Sequence, residues 1–286
     1  LREGQEALVD GRLDEAISRF EQARDAFHRA GSQPGAILLK AEGFIPFIGN
    51  TSRSVIGLAN AGEHVAEAGL SVSNGVKALP GGLDGLAPHR GRLPLEQMDL
   101  LAPALSLARA ELEAAQAVTD GLPRSFVLDQ VNQARSLVEQ RLDAAVPLVR
   151  SADELARALP SFGGADGPRR YLVAAQNPAE LRGTGGLIGA WAIMTCRDGQ
   201  MSLTAFRNIK DMAYPGKGDP KALPVDLPDP DQRLQPSDAP PQPPGVPSYY
   251  GPDPAVFPVD SNVVPQVPIA ARFLLGQYEY AYGERL

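Results

Sequence analysis

Two arginines and a run of glycines are the residues of this chain best suited to holding an anion, with one aspartate placed to hold a counter-ion. Arg182 stands directly before Gly183-Thr184-Gly185-Gly186, and Arg207 stands four residues before Asp211. A guanidinium fork matches phosphate oxygens two at a time. Glycine-rich backbone can aim several N–H groups at one anion. If the elements that carry them are adjacent, Arg182, Arg207 and the amides of residues 183 to 186 converge on a phosphate or pyrophosphate. Asn177 and Asn208 would add polar contacts. Asp211 would then hold a divalent ion, which prefers carboxylate and phosphate oxygens. Local charge agrees with this: Arg169 to Lys217 holds seven basic and three acidic residues in a chain of net charge −7. A plainer reading stays open beside it. Arg182 with Glu180 and Arg207 with Asp211 are then ordinary ion pairs, the glycines only make turns, and both asparagines tie turns through side-chain to backbone bonds.

These residues lie in the densest patterned stretch of the chain, Tyr171 to Met212. Tyr171 to Ala175 is a short apolar run that suits a buried strand, and Asn177-Pro178 bounds it. Pro178 to Arg182 reads as a connector, and the glycines as a loop. Leu187 to Cys196 is a second strand. Asp198-Gly199 marks a hairpin, and Met201 to Ile209 a third strand.

The first half is different. Residues 1 to 30 read as a helical hairpin in which Gly4, Ala7, Ala16, Phe20 and Ala23 fall at the offsets of one tetratricopeptide-like unit, with Gly11 between the helices. No second copy follows at that period, so a solenoid is not expected. Residues 43 to 50 read as an apolar loop, with Asn50 or Thr51 capping a helix that runs to about Ala78. Helices are expected over 95–119 and 125–158. The second carries a stripe of Val127, Val131, Ala134, Val138, Leu142, Ala145 and Val149, with Pro147 expected to kink or interrupt it. Ser161 to Arg170 is a linker. Pro215 to Pro268 holds 16 of the 27 prolines and is neither helix nor sheet centre. Ala270, Phe273, Leu274 and Tyr278 mark a last amphipathic helix. The fold class is therefore α+β (or α/β). An antiparallel helical bundle over 1–160 precedes a mixed-sheet domain over 161–286 with a long proline-rich insertion.

The composition narrows the function. The net charge of −7 argues against nucleic acid as a partner. His28, His64 and His89 are far apart and read as packing or surface residues, and no His/Cys set has metal-ligand spacing. Cys196, the single cysteine, makes no internal disulfide; it reads as a small apolar residue, or as a thiol activated by Arg197. Trp191 reads as core, and Tyr249-Tyr250 as a loop anchor or a sugar-stacking pair. There is no nucleophile elbow, P-loop or dinucleotide fingerprint. The chain begins at Leu1 rather than Met and shows no strand after its last helix, so the expectation is a piece of a longer protein.

The run Gln176-Asn177-Pro178-Ala179-Glu180-Leu181-Arg182-Gly183-Thr184-Gly185-Gly186-Leu187-Ile188-Gly189 resembles the signature of the bacterial domain of unknown function 4012 family. The helical half, the Phe44 to Gly49 loop and the proline-rich segment before the last helix are also similar to that family. The resemblance implies an N-terminal membrane anchor, an extracytoplasmic body and a further C-terminal portion. The order Arg182, strand, turn, strand, Arg207 and Asp211 also resembles, more distantly, the core of the LytR-CpsA-Psr family. Those proteins transfer glycopolymers from polyprenyl-pyrophosphate carriers, using arginines and magnesium. In this chain Gly183-Thr184 replaces that family's Ser-Asp, and Asn208 stands where its aspartate follows the second arginine. This resemblance implies an anchored cell-envelope protein that binds a polyprenyl-pyrophosphate-linked or otherwise phosphorylated glycan, as a phosphotransferase with Arg182, Arg207 and Asp211 as catalytic residues and Asp211 on Mg2+. The alternative is a non-catalytic envelope scaffold, or a module that binds protein or polysaccharide.

Overall fold

The computed structural model describes residues 1–32, 46–125, 127–212 and 258–286, with the side chains of 46–48 and 280 left aside. The chain divides into two compact units, Leu1–Asp166 and Gly167–Leu286. The class is α+β.

The first unit is a row of antiparallel helices: α1 (Arg2–Val9), α2 (Leu13–Ser32), α3 (Pro46–Ala78), α4 (Leu95–Asp120) and α5 (Asp129–Phe162). From α2 onward, each packs mainly on its neighbours in sequence. The expected hairpin forms, and Gly11 turns it at φ +72°. Phe20 is buried and its ring fills a slot between Gly4 of α1 and Gly69 of α3. A Cβ on Gly69 would stand 2.5 Å from that ring, and one on Gly62 would stand 2.6 Å from Phe27. Small residues on α3 therefore set how closely α2 approaches.

Three details differ from expectation. Helix α3 starts at Pro46, so Asn50 and Thr51 lie inside it rather than capping it. Both reach instead to the segment before α5: Asn50 Nδ2 donates to the Ser125 carbonyl (2.9 Å), and Thr51 Oγ1 accepts from the Leu128 N–H (3.2 Å). Helix α5 runs through Pro147 without interruption. Its core stripe is also rotated slightly: Val146 is buried, while Ala134 is exposed.

The second unit has strands β1 (Arg169–Arg182), β2 (Gly185–Arg197), β3 (Gln200–Leu203) and β4 (Arg207–Asn208), then helix α6 (Val267–Tyr282). Both β3 and β4 pair with β2, on the side away from β1. Among the described residues every pairing is antiparallel, and tight hairpins join β1 to β2 and β2 to β3. Asp198 and Gly199 both take positive φ (50° and 79°), as the second hairpin requires. The expected third strand is broken after Leu203, where Thr204 Oγ1 takes the Ile193 N–H at 3.0 Å. It resumes at Arg207 for two residues before a 3-10 turn, Ile209–Met212.

One extra residue, Gly189, bulges from β2 between the pairs Ala175–Ala190 and Gln176–Ile188. The bulge shifts the alternation by one. Ile188 therefore joins Trp191 and Ile193 on the face that packs Leu274 and Tyr278 of α6. All four residues expected on the inner side of the last helix are buried. The proline-rich expectation, with Lys217 and Tyr249-Tyr250, falls outside the described residues except at its end.

Candidate functional site

The signature run is the distal end of the β1–β2 hairpin. Arg182 pairs with Gly185, leaving Gly183 and Thr184 as a two-residue turn. The connector expected at Pro178 is a bulge within β1: the register passes from Asn177–Leu187 directly to Leu181–Gly186, leaving residues 178–180 without partners on β2. Asn177 shapes this bulge. Its Oδ1 accepts from the Ala179 N–H (3.1 Å) and its Nδ2 donates to Glu180 Oε1 (3.3 Å).

The three glycines do different work. A Cβ on Gly183 would fall on the Val263 and Val264 backbone, and one on Gly186 would fall on the Asn177 carbonyl. Gly185 has φ +134°. The Gly186 N–H donates to Gln176 Oε1 (3.2 Å), and Gln176 Nε2 donates in turn to Thr184 Oγ1 (3.4 Å). At least one loop amide counted toward an anion is therefore used inside the hairpin.

Residues at the end of the proline-rich stretch hold this end of the hairpin in place. Asn262, 1% exposed, donates from Nδ2 to the Gly186 carbonyl at 2.6 Å. Arg182 Nη2 lies 3.4 Å from Asp260 Oδ1, each side chain about one-third exposed. The plainer of the two readings pairs Arg182 with Glu180; the structure pairs it with Asp260, and Glu180 sits in the bulge and is turned to Asn177. Nothing local in the sequence links positions 260–262 to 176–186. The only signal was Ser261-Asn262, a polar pair set among valines.

Arg207 is elsewhere. It pairs with Trp191 on the opposite side of β2, six positions along from Gly185. At the usual rise and strand spacing, its backbone is roughly 20 Å from that of Arg182. The structure does not bring the two arginines together, because the whole width of β2 and half its length lie between them. Arg207 stands over the Trp191 ring, with Cζ 5.8 Å from the centroid. Trp191 Nε1 donates to the Asn208 carbonyl (3.1 Å), and Asn208 Oδ1 accepts from the Lys210 N–H (3.0 Å). Both asparagines thus tie turns. The Asp211 carbonyl accepts from the Tyr282 hydroxyl (3.4 Å). Burial raises the Tyr282 hydroxyl above its ordinary pKa, and the nearby Arg207 opposes that rise. Tyr278 and Tyr282 pack on Trp191 with centroids 5.6 and 5.4 Å away, so Arg207 closes an aromatic cluster.

Among the described residues, no group of three or more His, Cys, Asp or Glu side chains could share a metal ion. Cys196 is buried, and burial raises its thiol pKa, opposite to what activation by Arg197 requires. His28 and His64 share hydrogen bonds with Glu63 and Glu111 on neighbouring helices (3.1 and 2.7 Å). No described helix is long and apolar enough to cross a membrane.

No curated protein and no solved structure matches the chain. A family model described as "Protein of unknown function (DUF4012)" matches residues 166–286, a stretch that includes the hairpin signature, Asn262 and α6. The match is confined to the second unit, which is therefore similar to the DUF4012 family.

Proposed function

We propose that the chain is a non-catalytic module of an anchored, extracytoplasmic envelope protein, holding protein or polysaccharide rather than transferring a glycan. The observation that carries this reading is the separation of Arg182 from Arg207 and the engagement of each within its own neighbourhood. Arg182 is paired with Asp260, and Arg207 is stacked on Trp191 beside Tyr282. A pyrophosphate clamp is strongest when its cationic groups are already arranged around one point. The envelope setting rests on the family resemblance.

Co-sedimentation of the purified chain with insoluble cell-wall polysaccharide tests the polysaccharide arm. Retention that saturates and does not depend on magnesium is expected. Retention that requires magnesium would overturn the reading in favour of a metal-assisted phosphate site.

A further inference from the structure

Helix α5 carries a second apolar stripe outside the face that enters the described core. Leu142, Val146 and Ala156 enter the core of the helical row. On the opposite side runs a second stripe at alternating spacings of four and three. One row of it is Arg141, Leu148, Leu155 and Phe162; the other is Leu137, Ala144, Ser151 and Ala158. All eight are exposed. Leu148 is 70% exposed, Leu137 56% and Leu155 55%. An exposed, largely apolar seam of this length on a helix marks an interaction surface.

We infer that this seam pairs with the same seam of a second copy of the chain, the two helices running antiparallel. The order of large and small residues specifies the register. With Ser151 set opposite Leu148 of the second copy, Leu155 meets Ala144, Phe162 meets Leu137, and Arg141 meets Ala158. Bulk faces a small side chain at three of these four layers. A parallel pair would stack Leu148 on Leu148 and Ala144 on Ala144, alternately crowded and empty, which costs packing. Charge agrees. Arg141 is the one charged residue of the seam, and Glu154 of the second copy comes within about one helical turn of it. Among the described residues, neither Arg141 nor Glu154 has an ion pair within its own chain. The seam is roughly 38 Å long. Two such helices bury on the order of 1,000 Å2 together, the lower end of specific interfaces, so the dimer is weak and concentration-dependent.

Sedimentation velocity of the purified chain, from about 1 to 200 µM, tests this. A monomer–dimer equilibrium is expected, with Leu148→Glu raising its dissociation constant at least about tenfold while helix content by circular dichroism stays unchanged. A short bis-maleimide tests orientation, with the wild-type chain as control because Cys196 is buried. In the antiparallel register Ser151 lies about 5 Å along the axis from its twin, and Ala158 about 25 Å. Ser151→Cys therefore cross-links and Ala158→Cys does not. A chain that stays monomeric, association indifferent to Leu148→Glu, or equal cross-linking at both positions would each overturn the inference.

Discussion

Gly186 and Asn262 show how a signature that reads like a ligand loop can be a joint. The Gly186 N–H and carbonyl are both used, by Gln176 and Asn262, and its missing side chain lets the Asn177 carbonyl approach. What a Cβ would meet there is backbone, which cannot swing aside. Gly186→Ala is expected to lower stability by about 3 kcal/mol, as overpacking against a fixed neighbour does. Asn262→Ala removes a buried donor from a carbonyl and is expected to cost about 1–2 kcal/mol. Urea denaturation measures both. If each variant lay within about 0.5 kcal/mol of the parent, as ordinary surface changes do, the hairpin end would not be the structural joint described. The sequence made Gly183, Gly185 and Gly186 conspicuous but could not say which backbone each one admits. Their neighbours come from about ten and about eighty positions away.

At the scale of elements, α4 and α5 are held in register by a buried charge. Asp153, 2% exposed, accepts from Ser106 Oγ (2.6 Å) and Arg157 Nε (2.8 Å), and Arg109 Nη1 lies 3.3 Å away. The hydrogen bonds from Arg157 and Ser106 are the leading causes that hold its carboxyl below the usual range. A depressed folded-state pKa contributes stability that is fully present above the unfolded value, near 3.9 for Asp, and lost as pH falls through the lowered folded value. Asp153→Asn is therefore expected to start less stable at neutral pH and to lose less on acidification below about pH 4. Denaturation midpoints measured across that range check it; parallel curves for the two proteins would contradict it. The helices themselves were legible, because Leu142 and Val149 recur at helical period and Gly11 ends a turn. Their ends were not: α3 begins at Pro46 because proline suits a first helical position, and Asn50 and Thr51 found partners near residue 125 instead. The sheet was legible as strands and turns. The Gly189 bulge was not, since a bulge leaves no mark in the alternation until the register is known.

Across the whole molecule, charge counting along the chain placed Arg182, Arg207 and Asp211 in one basic neighbourhood. Sheet topology parts Arg182 from the other two. Twenty-five residues of sequence separation say nothing about which side of β2 each strand occupies, and that side decides whether two guanidinium groups meet. The family match over residues 166–286 covers the unit that carries the signature and leaves its chemistry open. The claim that this unit binds without transferring phosphate is tested most directly by calorimetric titration with a short prenyl pyrophosphate, with and without magnesium. Arg182→Ala and Arg207→Ala are titrated alongside. The account predicts no saturable heat in any of the three proteins. Saturable binding by the parent chain that both substitutions abolish would contradict it, and would mean that the two arginines meet around a ligand after all.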